Sequence, residues 1–155
     1  MFNSVLFNTT LICNKKYMRG GVVHQRKRRQ VAQQYKDYLS IKVPSLQQQV
    51  VNLSGGNQQK VVVAKTMAAD LDIIFFDEPT KGIDVGAKFE IYNLMNEMAA
   101  SGKAIVMISS EMEEILGMSD RILVLSEGRV AGELTKEQFS QENVLTLASG
   151  MEVTA

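Results

Sequence analysis

Four apolar residues in a row, Ile73-Ile74-Phe75-Phe76, run directly into Asp77-Glu78-Pro79, and this block restricts the fold more than any other stretch of the chain. It is too short for a helix and rich in β-formers, and an uninterrupted apolar run implies a strand covered on both faces, the condition of a parallel sheet lying between helices. The flanks agree. Upstream, Val61, Ala64 and Ala68 recur at helical spacing in a segment that opens at Ser54 and ends near Asp70. Downstream, Ile91, Leu94, Met95 and Met98 mark one helix face closed by Ser101 and Gly102, and Ala104 to Ile108 reads as a second buried strand. Helices alternating with such strands predict an α/β fold with a parallel-sheet core flanked by helices. Further on, Met112, Ile115 and Leu116 predict a short helix stopped near Gly117. A hairpin of Ile122–Leu125 and Arg129–Leu134 is expected to turn at Glu127 and Gly128, and Thr135 to cap a last helix through Phe139, Val144 and Leu147. Ahead of the informative stretch, Gln25 to Leu39 suits a surface helix ended near Pro44.

Composition removes several function classes. The chain has 155 residues, 45% apolar and 22% charged, which fits one globular domain and neither a disordered tail nor a fibrous repeat. Two long uncharged stretches, Met1–Asn14 and Ser45–Gln59, carry too many amide and hydroxyl side chains to span a membrane, and the first lacks the basic start of a secretory signal. The single Cys13 excludes an intrachain disulfide and a multi-cysteine metal site and suits a reducing cytoplasm. Seventeen basic residues balance seventeen acidic ones, yet residues 1–36 hold eight basic and no acidic residues. That leader could contact nucleic acid or an anionic membrane surface; the plainer reading is a solvated helix face, with His24 a surface residue inside it.

Two segments carry chemistry. Ser54-Gly55-Gly56-Asn57-Gln58 opens a helix, where a hydroxyl and backbone N–H groups at the positive end of the helix dipole form a site for a phosphate. Asp77 ends the apolar strand, where open α/β sheets bind ligands, and its carboxylate is placed to hold Mg²⁺ directly or through water. Glu78 beside it is a candidate general base for a water attacking a phosphoryl group.

In this order and spacing the segments resemble the C-terminal part of an ABC transporter ATP-binding domain, a P-loop NTPase. Leu53 to Gln59 resembles the signature loop, Ile73 to Glu78 the Walker B segment, Gly82-Ile83-Asp84-Val85-Gly86 the D-loop, and Met118 to Leu125 with Gly128-Arg129 the closing strands. Asn57-Gln58-Gln59-Lys60, Asp84-Val85-Gly86-Ala87-Lys88 and Ser109-Ser110-Glu111-Met112 are similar to the second ATPase half of monosaccharide importers of the ribose, galactose, xylose and arabinose type. The resemblance divides the chain into a helical-subdomain remnant at 1–52, the C-terminal part of the ATPase core at 53–150 and a tail at 151–155.

The same resemblance implies ATP and Mg²⁺ as cofactors. It assigns Ser54, Gly55, Gly56 and Gln58 to a nucleotide held on the first half's phosphate loop, Asp84 to the interface coupling the two sites, Asp77 to the metal, Glu78 to catalysis and Ser110 to the γ-phosphate. The implied partners are the first ATPase half, fused or in trans, membrane permease subunits and, indirectly, a periplasmic sugar-binding protein, with the chain peripheral on the cytoplasmic face of the membrane and no nucleic acid expected. Two departures stand out. No Gly-x-x-x-x-Gly-Lys-Ser/Thr loop occurs; at the nearest approach, Gly102-Lys103, Glu97 stands where the first glycine belongs and Ala104 follows the lysine. Ser110 replaces the histidine many ABC ATPases carry, and Glu111 reads as a solvated helix-start residue. The chain is therefore expected to begin partway through a domain and to lack ATP hydrolysis of its own, with an apolar sheet edge left open. A non-catalytic module docking on an ATPase half or permease, and a nucleic-acid-associated ABC relative, are the alternatives.

Overall fold

A computed structural model describes residues 2–152, leaving aside the side chains of Asn14, Lys15 and Arg19. Its elements in chain order are α1 (Val5–Thr10), β1 (Met18–Arg19), β2 (Val22–Val23), α2 (Gln25–Tyr38), α3 (Gly55–Ala69), β3 (Ile73–Asp77), α4 (Val85–Ala100), β4 (Ala104–Ile108), α5 (Met112–Met118), β5 (Arg121–Ser126), β6 (Arg129–Thr135) and α6 (Gln141–Ala148). Strands β3 and β4 pair with each other. Asp72 O accepts from Ala104 N at one end and Ile108 O from Glu78 N at the other, so the two run parallel, joined by α4 as a βαβ crossover.

The chain gathers into two compact units. The first comprises residues 1–74 and 80–106, the second residues 75–79 and 107–155. In the first, α1 packs on α2 and α3, and α3 meets α4; Val5 of α1, Val61, Val63 and Ala64 of α3 and Ile91, Met95 and Met98 of α4 are buried. A smaller cluster of Cys13, Tyr17 and Ala68 is lined by Val23, Val31 and Tyr35. Helix α2 ends earlier than Pro44 suggests: Ser40 turns left-handed (φ 49°) and Ile41 N donates back to Lys36 O, so a Schellman-type cap stops the helix before the proline.

The second unit is built on the antiparallel β5–β6 hairpin. Ile122, Val124 and Leu134 from its inner face bury against Val144 and Leu147 of α6. Glu127 and Gly128 both take positive φ (49° and 76°), the type I′ geometry whose twist matches a two-residue hairpin. Thr135 does not cap the last helix. It opens a 3₁₀ turn, Lys136–Gln138, and Ser140 caps α6 by accepting from Asn143 N at 3.0 Å.

The two central strands differ from expectation in their cover. Ile74 and Phe76 are buried, but Ile73 and Phe75 are 59% and 70% exposed, and Val106 and Ile108 on β4 are exposed as well. One face is covered and the other open, because burial of a continuous apolar run requires a layer on each side of the sheet.

Candidate functional site

In the first unit the candidate residues gather at the start of α3. Ser54 holds the N-cap position in extended conformation, but its side chain makes no capping bond to the helix. Its Oγ accepts instead from Asn57 Nδ2 at 2.9 Å, and Asn57 Oδ1 accepts from Lys42 N at 2.7 Å. Gln58 folds back and donates through Nε2 to Leu53 O at 2.9 Å, fixing the loop ahead of the helix. The backbone N–H groups of Gly55, Gly56 and Asn57 find no acceptor among the described residues, and no acidic side chain stands in this first turn. Because Ser54 accepts at its oxygen, its hydroxyl hydrogen stays free to donate. The arrangement is a set of open donors at a helix N-terminus, which fits an anion.

Gly82, Ile83 and Ala87 lie beside it. A Cβ on Gly55 would sit 3.4 Å from Gly82 O and from Ile83 Cγ2, and one on Gly56 only 2.9 Å from Ala87 Cβ, so Gly56 is required by the close approach of α4. Asp84 caps α4, its Oδ1 accepting from Ala87 N at 3.0 Å. Its carboxylate thus orients the turn that Gly82, at φ 75°, begins.

The second unit holds the other group. Asp77 ends β3 exposed, with no hydrogen bond or ion pair reaching its carboxylate among the described residues. Glu78 follows in left-handed conformation, φ 48°, which is costly for a residue with a Cβ. Its N–H donates to Ile108 O at 2.8 Å, and its Oε2 accepts from Ser110 Oγ at 3.1 Å. The structure therefore brings together Ser54, Gly55, Gly56, Gln58 and Asp84 in one unit and Asp77, Glu78 and Ser110 in the other. Asn57, which fixes the Ser54 hydroxyl, was absent from the candidate residues read from sequence; its signal was an amide side chain three residues into a helix whose N-cap is serine.

The donor set decides what these residues suit. No cluster of three or more His, Cys, Asp or Glu occurs among the described residues, so a protein-only metal cage is not built here. One free carboxylate at a strand end matches Mg²⁺, which keeps waters and takes its remaining ligands from phosphates. The open N–H groups of α3 match one side of a phosphate chain, whereas a loop to wrap that chain has no counterpart in the sequence. No helix among the described residues is long and apolar enough to cross a membrane.

A ribose/galactose/methyl galactoside import ATP-binding protein of Geobacillus kaustophilus is 52% identical over 147 residues, 95% of this chain and 29% of that protein. A xylose import ATP-binding protein of Thermoanaerobacter pseudethanolicus is 56% identical over 119 residues, 77% of this chain and 24% of that protein. The chain thus spans less than a third of the length of these relatives. Among solved structures, a metal-chelate type ABC transporter in an inward-facing conformation shares the fold at TM-score 0.79 and 21% identity, covering 96% of this chain and 59% of that one. The dimeric structure of a bacterial ABC transporter cassette matches at TM-score 0.71 and 26% identity, covering 88% and 58%. The ABC transporter family model matches residues 3–81, just over half of the sequence, and the chain belongs to that family.

Proposed function

We propose that these residues supply the signature loop, Walker B carboxylates and D-loop of the second ATPase half in the ATP-binding protein of a monosaccharide importer. The observation that carries the reading is the 52% identity, over 95% of the chain, to a ribose/galactose/methyl galactoside import ATP-binding protein. In this reading Ser54, Gly55 and Gly56 present fixed donors to the terminal phosphate of ATP seated on the first half, and Gln58 holds their loop in shape. The D-loop turn beside them, set by Asp84, lies at the interface between the halves. Asp77 holds Mg²⁺. Glu78 accepts a proton from the attacking water, and Ser110 orients its carboxylate from the position where the γ-phosphate is met. The cofactor supplies the phosphoryl group; the protein supplies position and charge. Partners are the first ATPase half, fused or in trans, permease subunits and, through them, a periplasmic sugar-binding protein, with the chain peripheral on the cytoplasmic face of the membrane. No residue here selects the sugar.

Taken by itself, the 155-residue chain lacks a phosphate-wrapping loop, and one carboxylate with a row of N–H groups does not replace it. The exposed Ile73 and Phe75 support the same view, since such side chains suit the inside of a larger sheet. Calorimetric titration of the isolated chain with Mg·ATP tests this part: absence of saturable binding is expected, and affinity equal to that of an intact ABC ATPase would overturn it.

A further inference from the structure

We infer that Glu114 is a positioning residue for the Glu78 carboxylate, acting through Ser109 on the turn that carries Ser110; its functional meaning rests on Glu78 being the base proposed above. Glu114 is only 4% exposed, and a carboxylate so deep is retained only where hydrogen bonds meet it. Its Oε2 accepts from Ser109 Oγ at 2.7 Å. The same Ser109 oxygen accepts from Glu111 N at 3.0 Å. One hydroxyl is therefore fixed on both sides, and Ser110 lies between Ser109 and Glu111, the two residues that the second of these bonds ties together.

The position of Glu114 in its helix makes this arrangement informative. Glu111 is the N-cap of α5, so Glu114 occupies N3, where a glutamate ordinarily reaches back to the N-cap N–H in a capping box. Here Ser109 Oγ takes that N–H and passes its own hydrogen to Glu114. Inserting a serine extends the box by one residue pair and ties the helix start to the end of β4. Glu78 is bonded on either side of Ser109: its N–H to Ile108 O and its carboxylate to Ser110 Oγ. A left-handed glutamate persists only where its surroundings over-determine it. The chain Glu114, Ser109, Ser110, Glu78 is that constraint, and it sets where the base points before any ligand arrives.

The test needs no nucleotide. In the isolated chain labelled with ¹⁵N, Glu114→Ala should accelerate exchange of the Glu111 amide by about fivefold, the factor for one net hydrogen bond, and shift the Glu78 amide resonance, while the β5–β6 amides stay as they are. Glu114→Gln keeps an acceptor for Ser109 and should restore both readouts. Should Glu114→Ala unfold the unit, Ser109→Ala with Glu114→Gln breaks the same latch and should reproduce both changes. An unmoved Glu78 resonance in that double variant, or a Glu114→Gln chain behaving like Glu114→Ala, would overturn the inference. Failure of the functional reading shows elsewhere, in ATP turnover of the assembled protein, and leaves these two readouts untouched.

Discussion

Substituting Gly56 by alanine tests how closely α3 and α4 approach each other. The added Cβ would lie 2.9 Å from Ala87 Cβ, against an ordinary contact of 3.4 Å or more, so α3 and α4 must part by about half an ångström. Ala87 has no flexible end with which to yield. Overpacking of this kind costs about 1–3 kcal/mol, and the better helix propensity of alanine returns at most about 1 kcal/mol. A net loss of up to about 2 kcal/mol remains, which in a chain of this length lowers Tm by up to about 8 °C. Gly55→Ala is the internal control, because its Cβ would meet Gly82 O and Ile83 Cγ2 at 3.4 Å, an ordinary contact. It should leave Tm unchanged or raise it. Thermal melts followed by far-ultraviolet circular dichroism compare the two. If Gly56→Ala melts at or above Gly55→Ala, the argument that helix approach demands glycine at 56 is wrong.

Other perturbations follow from single groups. Burial foremost, then the hydrogen bond with Cys13, holds the Tyr17 hydroxyl well above the ordinary tyrosine value of 10.0; Tyr35 is raised mainly by burial and Tyr38 mainly by its bond to Glu97. A folded-state value above the unfolded one gives stability that is complete below pH 10 and lost as pH rises past it. Tm should therefore fall across pH 10–12, and less steeply in Tyr17→Phe, each referred to its own value at pH 8; equal slopes would refute the assignment. Thr9 is fully buried and its Oγ1 has no partner among the described residues, so Thr9→Val should raise stability by about 1 kcal/mol in urea unfolding. Glu78→Gly removes the left-handed penalty of about 1–2 kcal/mol and loses one hydrogen bond of about 1 kcal/mol. It should melt no lower than the parent chain in thermal unfolding.

Much of the secondary structure was legible because the signals were local. The strand at Ile73–Asp77, the crossover helix Val85–Ala100 and the hairpin about Glu127-Gly128 each announce themselves within a few residues. Helix α1 and the β1–β2 hairpin did not. Six residues with Asn8, Thr9 and Thr10 among them show no apolar period, and two-residue strands show none at all; contacts with α2 and α3 and the Met18–Val23 pairing hold them. The last helix starts at Ser140 and not at Thr135: both carry capping hydroxyls, and a 3₁₀ turn with Phe139 packed against the hairpin core stands between them. Exposure of Ile73 and Phe75 was illegible for another reason: a sequence shows that a strand can be buried on two faces, not whether two layers are there. Within the site, residue types were legible and partnerships were not. Ser110 and Glu78 stand 32 positions apart, and their hydrogen bond appears only once β3 and β4 are paired in parallel.

The central claim, that this chain carries the signature and Walker B parts of a sugar importer's ATPase, is tested most directly by exchanging segments. The 147 residues matched in the Geobacillus kaustophilus relative would be replaced by the corresponding part of this chain, and ATP hydrolysis by the purified, folded chimera compared with that of its parent. Turnover close to the parent's, reduced when Ser54 is replaced by arginine at the head of α3, is the predicted result. A folded chimera that hydrolyses no ATP while its parent does would contradict the account.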